Sequence, residues 1–433
     1  MKKLFLICSI SYVAIYSAEG PFRYLLNLFG ADSMIFARDL LILLPLMLLF
    51  VSQSFRGRVH PAYWVFLAVV GVHGSISYLN FHTMLPAVYG AKFLMPLLFG
   101  FIAATSLTDM RGRPFAVFCI IWLVTVTALA VDKIDGEHLF PWIGMKATIG
   151  DLKVEISQNW DITSGPDRRV AGFTRSSIDA AMLLPMLALT IAPRYRFFVR
   201  LFVVTASEWA LYLTTQKGAA IAFGVIGFVL CLPRKSWYRC LNGLCLAFAV
   251  LAVLLPLLSQ GLLVSTEGGT FSLASLGMRV ELTWPDAFRW IANNNVFPFG
   301  AGLGGIGGAQ RQYAADSLNP ADNIFVFLYG NFGLLGVFYL IWAACAGLRI
   351  PSGLQSRSIV SLCLLAQNIG YGAVLSMMEG QVSMLFTGAA MGSLWLLRHE
   401  TAATRWSDNF RTGPSRLIPQ APPRVALPGN RTL

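Results

Sequence analysis

Basic side chains stand beside several apolar segments that lie far apart along the chain. They are Arg175, Lys217, Arg279 and Arg289. Cationic groups that converge in a partly dry site bind a diphosphate ester and stabilise the charge that grows on its leaving oxygen. A single arginine or lysine at a membrane surface is more often only an anchor. We therefore expect an anionic lipid-headgroup site here only if these segments meet.

Acidic and amide side chains accompany these cations. Asp179 and Glu281 each lie within a few residues of a basic position, and Asp322 is followed directly by Asn323 at the start of an apolar segment. Charged groups in or beside membrane spans are costly and are functional candidates by default. We therefore include these four residues in the candidate site.

Long apolar segments must position these side chains. The 433-residue chain is 56% hydrophobic and 12% charged, with a mean hydropathy of +0.63, whereas soluble proteins are about 25% charged. Apolar runs of about twenty residues recur along the chain, which excludes a soluble domain, a disordered chain and a coiled coil. We predict an all-α polytopic membrane protein, with about twelve transmembrane helices in a single domain over residues 1–400.

The net charge of +12 follows from how the basic residues are distributed. The N-terminus and the connections on its side of the predicted spans carry most of the lysines and arginines. Only three acids accompany them, namely Asp109, Glu400 and Asp408. This positive-inside asymmetry predicts that both termini are cytoplasmic. It favours attraction to anionic membrane lipid and argues against nucleic acid as a partner.

Two connections are much longer than the others, and both are predicted on the external side. They cover residues 132–177 and 260–323, and their aromatic and aliphatic residues favour ordered lids over linkers. Apolar residues at helical spacing predict an amphipathic helix over Leu276–Ile291. The composition of residues 401–433 predicts a disordered cytoplasmic tail.

Two further patterns predict structure rather than chemistry. The stretch Gly302-Leu303-Gly304-Gly305-Ile306-Gly307 matches GxGxxG but lacks the βαβ context of a dinucleotide site, so we predict a tight turn with close backbone approach. The seven cysteines lie in or beside predicted spans and the five histidines are dispersed. We therefore expect neither a disulfide framework nor a metal site.

Three motifs around the candidate site resemble those of a known family. One is a short basic motif at the start of a span, one is an R-x4-W pattern continued by P-x-G-x-G, and one is an Asp-Asn pair followed by spaced glycines. The matching residues are Thr215-Gln216-Lys217-Gly218-Ala219; Arg279, Trp284, Ala287, Pro298, Gly300 and Gly302; Arg289 with Gly300 as R-x10-G; and Asp322-Asn323 with Gly330, Gly333 and Gly336. The chain thus resembles the Wzy-type O-antigen polymerase and O-antigen ligase superfamily. In length and layout it is similar to exopolysaccharide polymerases of the xanthan type.

The resemblance implies an inverting glycosyl transfer that needs no metal and no other cofactor. The implied donor is an oligosaccharide on undecaprenyl diphosphate, and the acceptor is a sugar hydroxyl of a second lipid-linked unit. The implied location is the periplasmic face of the bacterial inner membrane, which would make the two long loops periplasmic. A flippase and a chain-length regulator of the same pathway are the implied protein partners.

The roles expected of the candidate residues combine their charges with this reaction. Four basic residues are expected to bind the diphosphate, namely Arg279, Lys217, Arg175 and Arg289. Asp322 is the candidate base that accepts the proton of the acceptor hydroxyl, with Asp179 and Glu281 as alternatives. Asn323 is expected to contact substrate.

Two positions depart from the family pattern. Lys217 stands where the family has arginine, which keeps the positive charge but loses bidentate phosphate binding. Asp322 stands where ligases commonly carry histidine, and this favours a polymerase over a ligase that transfers finished glycan to lipid A core or protein. A lipid-linked glycan flippase or exporter and a non-catalytic scaffold of an envelope complex are the remaining alternatives.

Overall fold

Helices form nearly all of the computed structural model, which describes residues 1–149, 152–155, 168–259, 273–294, 297–314, 318–348 and 356–412. In the first half of the chain they are α1 Lys2–Ser17, α2 Glu19–Leu28, α3 Ala37–Ser54, α4 Pro61–Phe81, α5 Leu85–Ile102, α6 Ala104–Thr108, α7 Gly112–Leu139, α8 Ser177–Ile191 and α9 Phe197–Leu213. In the second half they are α10 Lys217–Cys231, α11 Arg234–Leu257, α12 Ala274–Met278, α13 Trp284–Asn293, α14 Ile324–Phe332, α15 Leu334–Ala344, α16 Ser356–Gly372 and α17 Gln381–Thr412. The predicted helical architecture is confirmed.

Six helices of the described chain are long and apolar enough to cross a membrane. The number rises to seven if α1 and α2, which meet at a bend of 80°, are taken as one span. The six are Asp32–Ser54, Pro61–Phe81, Leu85–Ile102, Gly112–Gly136, Ser177–Arg194 and Arg234–Leu257. These helices are compatible with a multi-pass membrane protein, and the predicted number of about twelve spans goes beyond them.

Successive helices run back and forth, so the bundle has two ends. At the first, which we call the loop end, the hydroxyl of Tyr16 in α1 donates to Asp179 in α8 over 2.5 Å. At the opposite end, which we call the basic end, Arg194 after α8 donates to the backbone carbonyl of Thr108 over 2.8 Å. The two long loops both join the loop end.

Close packing at the centre of the bundle depends on small residues. All of α8 from Ala180 to Ile191 is buried. Helices α5 and α17 cross where Gly100, Gly388 and Gly392 stand, and a Cβ atom at any of these positions would collide with the backbone of the facing helix. Small residues allow such close approach between helices in a membrane, where the hydrophobic effect does not drive helices together.

The glycine-rich turn around Gly302 is buried between α4, α5 and α14. Leu303 donates its N–H to the carbonyl of His73 over 3.1 Å and accepts from the hydroxyl of Ser77 over 2.9 Å. Gly302 donates to the carbonyl of Asn331 over 3.1 Å and has a left-handed φ of 93°. This confirms the predicted tight turn with close backbone approach.

We expect Gly302→Ala to lower the melting temperature of the purified protein strongly. The new methyl group would collide with the backbone of Ser77 and would force alanine into a left-handed conformation, a combined cost of about 2–4 kcal/mol. Gly30→Ala is the matched control, because Gly30 also has a positive φ of 65° but has nothing within 4 Å of the added atom. Equal melting temperatures for the two variants would contradict the role of the close approach.

The long loops contain both predicted and unpredicted elements. The helix predicted over Leu276–Ile291 is confirmed, since α12, a π-helical turn at Arg279–Thr283 and α13 follow one another. The first loop holds an antiparallel hairpin of β1 (Lys146–Ile149) and β2 (Leu152–Glu155), which was not predicted. Helix α17 extends to Thr412, into the segment predicted to be disordered. The rest of the tail, 413–433, and the loop residues 150–151, 156–167, 260–272, 295–296 and 315–317 lie outside the described residues.

Candidate functional site

Arg279 and Asp322, which lie at opposite ends of a long loop segment, form an ion pair. Arg279 Nε lies 3.2 Å from Asp322 Oδ2, and the two side chains are 19% and 24% exposed. Arg279 also donates from Nη1 to the carbonyl of Ser275 over 3.0 Å. The pair is therefore partly desolvated, which strengthens its electrostatic interactions, and it can still be reached by a ligand.

The backbone at Asp322 adopts a conformation that residues other than glycine rarely adopt. Ala321 and Asp322 have φ values of 62° and 41°, both left-handed. The fully buried indole of Trp284 donates to the carbonyl of Asp322 over 3.4 Å and helps to hold this turn. Strained backbone of this kind clusters at functional sites, where the surrounding structure imposes it.

Tyr371, near the loop end of α16, lies within electrostatic range of charges from distant parts of the chain. Its buried hydroxyl donates to Oε1 of Gln216 over 3.2 Å. Four charged side chains from three separate parts of the chain act electrostatically on it. They are Arg169, Asp179, Arg279 and Asp322. We call these four residues, together with Gln216 and Tyr371, the Tyr371 site.

Asp179 uses both of its carboxylate oxygens within the protein. Oδ1 accepts from Tyr16 over 2.5 Å, and Oδ2 accepts from the hydroxyl of Ser176 over 2.8 Å. Ser176 in turn caps α8 by accepting from the backbone N–H of Asp179 over 3.1 Å. These bonds fix Asp179 at the edge of the Tyr371 site and suit it to positioning rather than to accepting a further proton.

Lys217 begins α10 directly after Gln216. The next residue, Gly218, packs so closely on α16 that a Cβ atom there would lie 3.3 Å from Cδ2 of Tyr371. Thr215, at the end of the preceding turn, has a left-handed φ of 58°. The backbone that carries the half-buried Lys217 therefore lies against Tyr371, next to the charges that were predicted to accompany it.

A second buried group of polar residues lies beside the Tyr371 site. In this group, which we call the Glu19 cluster, Arg38 bonds Glu19 and Gln381 at 2.6 Å each, and Arg23 donates from Nε to Glu19 over 2.9 Å. Glu19 is only 2% exposed, so its charge depends on these partners. Arg175 acts electrostatically on Glu19. The predicted site residue Arg175 thus lies within electrostatic range of the Glu19 cluster, on the segment that leads to Asp179.

Asn323 holds three helices together at the loop end. Its Oδ1 accepts from the backbone N–H groups of Phe325 and Val326 at 2.8 and 3.0 Å, which caps α14. Its Nδ2 donates to the carbonyls of Ala252 in α11 and Ala373 after α16 at 2.9 and 2.8 Å. The side chain is fully buried. Both polar atoms are thus used inside the protein, so Asn323 supports the site from behind rather than contacting substrate.

We expect Asn323→Ala to destabilise the protein, because the substitution removes the cap of α14 and leaves two buried carbonyls without their donor. The cost is about 2–4 kcal/mol. The measurement is the melting temperature of the purified variant, with Asn294→Ala as the control. Asn294 caps only its own helix, with one bond of 2.8 Å to the carbonyl of Trp290. An Asn323→Ala protein as stable as this control would contradict the role assigned here.

Two of the predicted site residues are exposed. The buried face of α13 carries Trp284, Ala287 and Ile291. Arg289 lies on another face, with its side chain 74% exposed, and pairs with Asp286. Glu281 is also exposed. An exposed ion pair contributes little to stability, and the described contacts of Arg289 do not include the Tyr371 site.

Three residues of the Tyr371 site were not predicted as functional, namely Arg169, Gln216 and Tyr371. Arg169 follows Arg168, which is buried and pairs with Asp132 over 2.7 Å. The sequence signal for Arg169 is only the double arginine. Gln216 and Tyr371 had a better signal, since Gln216 lies in the motif around Lys217 and Tyr371 is a polar residue at the end of an apolar segment.

The Tyr371 site combines cations, carboxylates and hydrogen-bonding groups in a partly dry setting. The chain matches no family model, no curated protein and no solved structure. What the site can do therefore follows from its own residues. Arginines bind phosphate oxygens in a bidentate manner, and a carboxylate beside them can accept a proton from a hydroxyl group.

Proposed function

We propose that this protein polymerises lipid-linked oligosaccharide repeat units as a metal-independent inverting glycosyltransferase of the Wzy-type polymerase and ligase superfamily. In this proposal the chain has about twelve spans in the bacterial inner membrane. The shorter helices α9, α10 and α16 and the α14–α15 pair then cross together with the longer ones. The basic end and both termini are cytoplasmic, and the loop end is periplasmic.

The observation that carries the proposal is the partly buried ion pair of Arg279 and Asp322, held beside Trp284 at one end of an apolar helical bundle. A substrate that is anchored by a hydrocarbon tail and carries a diphosphate would bring its charge to this depth. The ion pair of Arg279 and Asp322 offers a cation that can exchange its internal partner for phosphate. A purely structural anchor does not need cations and carboxylates from separate segments around one hydroxyl.

The proposed reaction forms one glycosidic bond and breaks one bond to phosphate. A hydroxyl oxygen of the acceptor sugar attacks the anomeric carbon of the donor glycan, and the bond from that carbon to the diphosphate oxygen breaks. Asp322 accepts the proton of the attacking hydroxyl. The bonding electrons leave with the lipid diphosphate, whose charge Arg279, Arg169 and Lys217 stabilise.

Asp322 is the preferred base among the three carboxylates considered. Asp179 already accepts from two hydroxyl groups, one on each oxygen, and Glu281 is exposed on the π-helical turn. Asp322 lies beside Arg279 on a turn that Trp284 holds. Its pairing with Arg279 also links proton acceptance to phosphate binding. A diphosphate that binds Arg279 breaks the ion pair, and the carboxylate of Asp322 can then accept a proton.

A transfer assay with the purified full-length protein tests the proposal. The protein is reconstituted in vesicles with lipid-linked repeat units and no nucleotide sugar, and the products are separated by size. A ladder of polymer products is the expected result. Unchanged repeat units at full protein recovery would refute glycosyl transfer.

The same assay separates the polymerase from the alternatives. A single transfer of finished glycan to lipid A core or to a protein acceptor would indicate a ligase. Movement of the lipid-linked unit across the vesicle membrane without a change in bonding would indicate a flippase or exporter. The aspartate at position 322, where ligases of the family commonly carry histidine, favours the polymerase.

A further inference from the structure

A cavity of about 640 Å³ opens at the basic end, far along the helices from the Tyr371 site. It lies between the starts of α7, α11 and α16 and the segment that follows α8. The charged residues that line it are Asp109, Arg111, Arg194 and Arg234. Met110, Phe115 and Ile359 add an apolar wall. The cavity thus offers positive charge beside an apolar surface.

The cations around this cavity repel one another. Arg111 acts electrostatically on Arg194, and Arg234 acts on Arg200, which lies behind the lining residue Trp237. Asp109 is the one acid among the lining residues, and it lies 3.2 Å from Arg111. Several cations held close together with a single carboxylate favour binding of a further anion.

Two of these guanidinium groups retain buried donors. The Nε atoms of Arg194 and Arg200 are buried and find no hydrogen-bond partner among the described residues. Arg200 is only 5% exposed and stacks 4.6 Å from the ring of Trp237. Its charge is therefore held by packing against Trp237, and it adds to the positive potential of the cavity without lining it.

Helix ends add to the positive potential. Gly112, Arg234 and Ser356 all line the cavity, and they are the first residues of α7, α11 and α16. The N-terminus of a helix carries partial positive charge and free backbone N–H groups, which bind phosphate. Three such helix starts in the wall of one cavity, together with the arginines, match a phosphate group.

We propose that this cavity binds a phosphate-bearing anion, namely the headgroup of an anionic phospholipid from the leaflet at the basic end. Basic pockets between transmembrane helices bind such headgroups, and the apolar wall of Phe115 and Ile359 accommodates the start of the acyl chains. The proposal does not rest on glycosyl transfer, so either can fail without the other. A soluble phosphate compound shares the chemistry, and the experiment separates the two sources.

The test measures ligand-dependent thermal stabilisation of the full-length protein. Wild-type protein is compared in vesicles of phosphatidylcholine, in the same vesicles with phosphatidylglycerol, and with soluble glycerol phosphate. The variant Arg111→Gln/Arg234→Gln removes two lining charges whose side chains are exposed. Arg56→Gln/Arg58→Gln is the matched control, because it removes two exposed charges from another connection.

We expect phosphatidylglycerol to raise the melting temperature of wild type and of the control pair. The apparent affinity of the cavity variant for phosphatidylglycerol should be roughly tenfold to thirtyfold weaker.

Stabilisation by glycerol phosphate alone, lost in the cavity variant, would instead assign the site to a soluble ligand and overturn the proposal of a lipid headgroup. Equal responses of all three proteins, or an equal loss in the control pair, would overturn the site itself. If the cavity variant does not fold in phosphatidylcholine, the single variant Arg111→Gln carries the same comparison, since that side chain is 84% exposed.

Discussion

Cells that depend on an Arg279→Ala variant are expected to make no polymer and to accumulate lipid-linked single repeat units. The substitution removes the cation that is proposed to bind the diphosphate and to stabilise its charge as it leaves. Loss of one such group lowers the transfer rate by about 100-fold to 1000-fold. Polymer on a gel, extracted lipid-linked units and the amount of protein in the membrane are measured together. Normal polymer at a normal protein level would contradict the proposed role.

Arg289→Ala is the matched control for this experiment. Arg289 is an arginine of the same helical segment, but its side chain is 74% exposed and pairs with Asp286. We expect this variant to retain most of the wild-type activity. Arg279→Lys separates charge from geometry, because lysine keeps the charge but cannot bind phosphate in a bidentate manner. An Arg289→Ala variant as inactive as Arg279→Ala would show that the surface of α13, rather than the Tyr371 site, carries the function.

The second large effect is expected for Asp322→Asn. Asparagine keeps the shape of the side chain and tolerates the left-handed backbone at this position, but it cannot accept a proton from a hydroxyl group. The transfer rate should fall by about 100-fold to 10000-fold, while the binding of lipid-linked donor is retained. Rate and donor binding are measured separately with purified protein. Asp286→Asn, which changes an exposed aspartate, is the control.

An exchange of charges tests whether the Arg279–Asp322 pair is merely structural. A double variant with Arg279→Asp and Asp322→Arg restores an ion pair of opposite orientation. If the pair only holds the loop, stability and activity recover together relative to the single variants. If the residues act as proposed, stability recovers and transfer does not. Recovery of transfer in the double variant would refute the roles assigned to both residues.

The helical architecture could be predicted because it depends on composition and periodicity alone. Apolar residues at helical spacing located the amphipathic helix in the second long loop, and the structure contains it over Ala274–Met278, Arg279–Thr283 and Trp284–Asn293. The π-helical form of the middle segment could not be predicted. It shifts the register of Arg279 relative to Trp284, and both residues contact the turn at Asp322.

The membership of the site was harder to predict, because burial decides the role of otherwise similar residues. Arg168 and Arg169 are neighbours of the same type. Arg168 forms a buried ion pair with Asp132, whereas Arg169 acts electrostatically on Tyr371. In the same way the amide of Asn323 could hydrogen-bond a sugar. In the structure its Nδ2 donates to two backbone carbonyls and its Oδ1 caps α14, so both polar atoms already have partners. Sequence spacing contains no information on these three-dimensional partners.

The bond between Arg38 and Gln381 joins two residues that lie 343 positions apart in the sequence. Arg38 and its partner Glu19 are synthesised long before the amide of Gln381, which accepts the second bond of Arg38. The buried Glu19 cluster can therefore reach its full set of hydrogen bonds only after the first residue of α17 has been synthesised.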